Sequence, residues 1–145
     1  SDFFIPVPSH TSDAIRSSCQ GSLHPQAVMG ITLMNRREFF AAHEALEIAW
    51  MDEKSAIRDV YRGILQTAVA YLHIQRGNYR GAIKMLARCQ QWLAPFPAVC
   101  RGIDLHRLRE DIRAVEKNVI RLGPDGLKSF DQSGFRPVIT GLAFN

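Results

Sequence analysis

The sequence predicts an all-α fold: a single compact bundle of about five helices with irregular N- and C-terminal segments. Three observations carry this. Apolar residues recur at three- and four-residue spacing through much of 24–123, the period of helices that bury one face. The breaks between these runs hold residues that start or stop helices: Gly77-Asn78, Pro95 and Pro97, Asp104, and Gly123-Pro124. No convincing strand interrupts them. At 145 residues the chain has the size of one domain with a real core.

Each element follows in order. Residues 1–23 are a polar lead-in with Pro and Ser, expected to be irregular, and 24–123 form the bundle. His24-Pro25 opens an apolar segment, Ala27 to Met34. Pro25 suits a first helical turn, where its missing N–H has no partner to lose. Asn35 followed by Glu38 has the spacing of a capping box, with Asn in place of Ser or Thr. It is expected to start a helix running to about Met51. Asp52 or Ser55 starts the next, which runs to about Arg76 and ends with Gly77 at C′. Asn78 caps a helix to about Trp92, and Pro95 and Pro97 stop it. Asp104 caps a last helix that ends near Gly123-Pro124. Residues 124–145 mix turn residues with scattered apolar ones and read as an extended tail.

The composition, 46% hydrophobic and 22% charged, is that of an average soluble domain. No apolar run approaches the roughly 20 residues of a membrane span, so no membrane partner is expected. Ser1 to Pro8 lack the basic and long apolar regions of a signal peptide, and a start at serine reads as a trimmed chain. Cys19, Cys89 and Cys100 are odd in number and form no C-x-x-C, which points to reduced thiols in a cytoplasmic protein. The net charge of +4 is a mild pull toward acidic partners and specifies none.

Residues 43–47, His-Glu-Ala-Leu-Glu, lie mid-helix. At 3.6 residues per turn, His43 and Glu47 share a face and Glu44 sits on its flank. Phe39, Phe40, Leu46 and Trp50 project within about 60° of His43. His43 and Glu47 are therefore expected on the buried face, where a carboxylate needs a partner. The 56–76 segment is apolar nearly all round, through Val60, Ile64, Leu65, Ala68, Val69 and Leu72, and should be the central helix. One stripe of it carries Asp59, Arg62, Gln66 and His73, interleaved with Gly63 and Ala70. If that stripe meets the His43 helix, His43, Glu47, Arg62, Gln66 and His73 converge on one polar pocket, lined also by Trp50 and Asp59.

Two chemistries fit such a pocket. His43 and Glu47 could hold a divalent metal such as zinc or manganese, with His73 or Gln66 completing the set and Glu44 as the base that takes a proton from metal-bound water. Alternatively the H-E-x-x-E is a hydrogen-bonded pair that fixes helix packing, and the protein is a non-enzymatic binding or scaffold module. Trp50 and Trp92 read as core anchors, and Cys89 and Cys100 lack partners that would make a thiol catalytic.

Phe39-x-x-Ala42-x-x-x-Leu46 and Tyr79-x-x-Ala82-x-x-x-Leu86 echo each other at an offset of 40 residues. One echo suits two similar hairpins in one bundle better than a repeat array. Asn35 to Trp50 (N-R-R-E-F-F-A-A-H-E-A-L-E-I-A-W), G-I-L-Q at 63–66, L-H-I-Q-R-G-N-Y-R-G-A at 72–82 and G-I-D-L at 102–105 together resemble the small helical family known as domain of unknown function 309, over residues 24–121. The resemblance implies a compact all-α bundle and a metal-dependent hydrolase label that rests on motif analogy. His43, Glu44, Glu47, Trp50, Gln66 and His73 carry over to it. Arg62 is not among the positions matched to it.

Arg80, Lys84 and Arg88 step by four along one helix, and Arg109, Arg113, Lys117 and Arg121 along the last. Such ridges could meet a phosphate backbone. Glu110, Asp111 and Glu116 dilute the second ridge and no aromatic platform is evident, so the balance is against nucleic acid. The partner is unspecified, and a homo-oligomer stays open.

Overall fold

A computed structural model describes residues 10–143; the first nine residues of the lead-in, with the signal-peptide reading, and the last two of the tail lie outside the described residues. The elements are α1 (Ser12–Ser18), α2 (Pro25–Asn35), α3 (Phe39–Asp52), α4 (Arg58–Gln75), α5 (Tyr79–Leu93), β1 (Val99–Cys100), β2 (Ile103–Asp104) and α6 (Leu105–Gly126). The all-α bundle is as expected. Among the described residues no helix is long and apolar enough to cross a membrane.

The central helix is α4. It packs against α3 on one side and α5 on the other, and Val60, Tyr61, Ile64, Ala68, Ala70, Tyr71 and Ile74 along it are all buried. α3 and α5 each begin with the echoed pattern: Phe39, Ala42 and Leu46 in one, Ala82 and Leu86 in the other, all buried. The internal echo is thus two helices laid on the flanks of a third.

Several boundaries fall where local chemistry dictates. Pro25 occupies the first turn of α2, and the His24 ring accepts from the Gln26 N–H. Asn78 and Asp104 cap α5 and α6 by accepting from the N–H groups of Gly81 and Arg107. Gly123, at φ 70° and ψ 179°, breaks α6 before Pro124.

Other expectations are corrected. Asn35 does not cap α3: it is the last residue of α2, and Glu38 stands at the N-cap without a side-chain bond. Asn35 instead clasps the tail, donating from Nδ2 to the Val138 carbonyl (3.0 Å) and accepting the Val138 N–H (2.8 Å). Asp52 and Ser55 do not start α4 either. Glu53 holds that turn by accepting from the Ser55 N–H and hydroxyl, and α4 starts at Arg58. The tail is not a loose extension. Phe130, Phe135 and Val138 are buried, and the Phe135 ring lies 4.6 Å from Tyr71 and 5.2 Å from Phe39. Within the lead-in, α1 is an ordered helix capped by Thr11.

The expectation of three reduced thiols is overturned for two of them: Cys19 and Cys100 form a disulfide. It ties the end of α1 to β1. Cys100 begins a two-residue hairpin turn through Arg101 (φ 45°) and Gly102 (φ 84°), the left-handed pair such turns require. Arg101 reinforces the staple. Its backbone N–H donates to the Cys19 carbonyl (2.9 Å), and its guanidinium to the carbonyls of Ser18 (2.7 Å) and Ser22 (2.8 Å) and to Glu53 Oε1 (3.2 Å). Cys89 alone remains a thiol, and burial pushes it up to about 12.

Candidate functional site

The residues of the H-E-x-x-E are positioned by the phase of α3. Its buried seam is Phe39, Ala42, Ala45, Leu46 and Ala49. Phe39 and Leu46 share it with three alanines, and its centre falls about 100° round the helix from His43. The seam is therefore rotated away from His43. Glu47 is 51% exposed and Glu44 is exposed as well, which overturns the expectation of a buried carboxylate. His43 sits at the edge, 26% exposed, with Nε2 3.9 Å from Glu47 Oε2. Its Nδ1 donates to the Phe40 carbonyl at 3.2 Å. Phe40, which the projection placed on the buried face, is 53% exposed.

Arg62, Trp50 and Asp59 form a different constellation. The Arg62 guanidinium stands 5.1 Å from the Trp50 ring and 4.3 Å from the Trp92 ring, and Arg58 lies 5.3 Å from Trp50. Burial, together with Arg58 and Arg88 nearby and against the pull of Asp59, holds the Arg62 pKa below its ordinary value. Asp59 is buried and bonded to His10, Oδ2 to Nε2 at 3.1 Å. Burial raises its pKa, against the lowering effects of His10, Arg58 and Arg62. The Trp50 indole N–H and the Gln66 Oε1 are buried without a hydrogen-bond partner.

His73 belongs to the α4–α5 corner. Its Nδ1 accepts from Asn78 Nδ2 at 3.1 Å, while Asn78 Oδ1 caps α5. A Cβ on Gly81 would stand 2.9 Å from the imidazole carbons, so only glycine lets the ring lie there. Gly77, at φ 72°, makes the turn. His73, Gly77, Asn78 and Gly81 are one interlocked corner, and burial, with Arg76 adding to it, lowers the His73 pKa.

The metal set expected from the sequence is therefore not assembled. His43 and Glu47 face each other, His73 is engaged by Asn78, and Gln66 lies on α4. Among the described residues no three His, Cys, Asp or Glu side chains gather to hold a metal ion. The donor set does not fit a catalytic metal, which wants about three protein ligands.

Residues 28–85 match the family described as domain of unknown function (DUF309). An uncharacterized protein of Aquifex aeolicus (strain VF5) is 29% identical over 82 residues, which cover 56% of this chain and 25% of that protein. The chain thus spans about a quarter of the relative's length. No solved structure matches.

The DUF309 match runs from α2 into α5, a shorter stretch than the 24–121 expected from the residues. It takes in the H-E-x-x-E helix, Trp50 and the His73 corner. Trp92, the disulfide partners, β1, β2 and α6 lie outside it. The site residues that sequence reasoning missed are Trp92, Arg58 and His10. Arg58 and Arg62 are spaced one turn apart, which is a readable signal, but nothing in the sequence pairs either with Trp92 across two helices.

Proposed function

We propose that this domain is a non-enzymatic binding module whose α2–α3 hairpin docks a protein partner. The observation that carries this is the placement of exposed apolar side chains. Of the seven large ones among the described residues, five sit on this hairpin: Val28, Met29, Phe40, Ile48 and Met51. Met51 is 69% exposed. Such concentrations mark interaction surfaces, whereas scattered single residues do not. On α3, Phe40, Glu44, Ile48 and Met51 follow one another at helical spacing, and Glu44 and Glu47 stand among the apolar groups. The matching partner surface is apolar with basic residues. In the longer Aquifex relative, the equivalent stretch is accompanied by three-quarters of a further polypeptide, a setting in which such a face has something to meet.

On this reading His43 and Glu47 form a surface pair at the edge of the docking face. Metal-dependent hydrolysis draws support from those two side chains and the family label alone. The same experiment separates the two. The full chain is titrated with a labelled amphipathic Leu/Lys helical peptide, and its size in solution is measured. The wild type should bind the peptide, and Phe40→Ser with Met51→Ser should lose binding while keeping its helical signal. Equal binding by both proteins would refute the docking face. Self-association that the same double variant abolishes would make the partner a second copy. A stabilisation by zinc or manganese that Glu47→Ala lacks would replace this reading with the metal one.

A further inference from the structure

Outside the docking face, the junction of α3, α4 and α5 holds a second feature. Arg62 is flanked by the rings of Trp50 and Trp92, and Arg58 stands on the same Trp50. The Arg62 guanidinium thus lies against two indole rings, 5.1 Å from Trp50 and 4.3 Å from Trp92. Its N–H groups make no hydrogen bond or ion pair with any described residue. The nearest carboxylate, Asp59, is already bonded to His10. The Arg58 and Arg62 guanidiniums thus stand against one Trp50 ring, and no ion pair to a described residue holds either.

We propose that Arg58 and Arg62, braced by Trp50 and Trp92, form a binding site for a phosphate-class dianion. The chemistry points to phosphate over a lone carboxylate. A single carboxylate is satisfied by one guanidinium fork, whereas a tetrahedral dianion offers oxygens to two guanidiniums at once. Planar, stacked arginines are the side chains best matched to that geometry. The aromatic bracing reduces the ordering that binding would otherwise require of a long side chain. The site is independent of the α2–α3 docking face, so either can fail alone.

The protein supplies its own reporter. Its two tryptophans are the two that flank Arg62, so intrinsic indole emission reads this site alone. The full chain is titrated at constant ionic strength with inorganic phosphate, with a phosphate monoester, and with acetate and chloride as controls. We expect a saturable change in emission and a rise in melting temperature with phosphate. Arg62→Lys, which keeps the charge and loses the fork, should weaken binding by about tenfold or more, as should Arg58→Gln. Tighter binding of the monoester assigns the site to a phosphorylated molecule, and equal binding assigns it to free phosphate; both support the proposal. A response to chloride or acetate equal to that with phosphate would overturn it. So would phosphate binding unchanged in both variants. Since Arg62→Lys could loosen the tryptophan packing, Arg58→Gln, which touches one tryptophan where Arg62 touches two, keeps the test decisive if the first variant fails to fold.

Discussion

Opening the Cys19–Cys100 bond should destabilise the protein more than any single surface change. The link closes 81 residues of chain. In the chain-entropy model a loop of that length restricts the unfolded state by about 15 cal/mol/K, or about 4.5 kcal/mol at 25 °C. That figure is an upper value, because residual structure in the unfolded chain lowers it. The folded state should survive the loss. Arg101 still holds the carbonyls of Ser18, Cys19 and Ser22, and both cysteines are buried in well-packed positions. Thiol titration in denaturant should count one thiol without reductant and three with it. Urea unfolding of the oxidised protein, the reduced protein and the Cys19→Ala with Cys100→Ala variant should then show the last two alike. Both should lose about 2–4.5 kcal/mol relative to the first, with unchanged helical content before the transition. Three thiols in the unreduced protein would refute the linkage. A loss below about 1 kcal/mol in a verified oxidised sample would refute the argument that this loop constrains the unfolded chain.

Three further outcomes follow from burial. Glu47→Ala should change stability by no more than about 0.5 kcal/mol in urea, since the side chain is half exposed and its one near partner is 3.9 Å away; a larger loss would place the pair in a drier setting than described. Tyr71→Phe should leave stability unchanged or raise it, because the Tyr71 hydroxyl is buried without a partner; a loss above about 1 kcal/mol would mean the hydroxyl is satisfied. Burial raises the pKa of Asp111, against the lowering effect of Arg107, so this carboxyl binds its proton more readily folded than unfolded. Its favourable contribution is complete below the ordinary carboxyl value and is lost as pH rises through the raised one. Asp111→Asn should therefore gain on the wild type as pH rises above about 4, and a gap that does not widen in that direction would contradict the burial argument.

The bundle was legible because its punctuation is chemical. Pro25, Gly77, Asn78, Asp104 and Gly123 act through their own backbone and side chains, and each does in the fold what its local chemistry requires. The failures share a different cause. Asn35 has the local spacing of a cap, but its amide is taken by Val138, 103 residues away. Cys19 and Cys100 pair across a distance in sequence that no motif spans. The apolar residues of the tail are too sparse to show a period, yet Phe135 completes an aromatic cluster with Phe39 and Tyr71.

The site failed to assemble as read for a reason that is specific to α3. A projection weighted by large apolar residues centres its stripe on His43, between Phe39, Phe40, Leu46 and Trp50. The helix is in fact set by the seam of Phe39, Ala42, Ala45, Leu46 and Ala49, whose centre lies about 100° round from His43. A rotation toward that seam brings Glu47 to the surface and turns Phe40 outward with Ile48 and Met51. The same rotation leaves Trp50 beside Arg58 and Arg62 at the foot of α4. The polar stripe of α4 was read correctly as a stripe, but its members separate along the helix axis. Arg62 meets the two tryptophans near one end, and His73 locks the corner at the other. Residues that share a face need not share a site: eleven positions at 1.5 Å per residue put about 16 Å between Arg62 and His73, beyond the span of any single ligand shell.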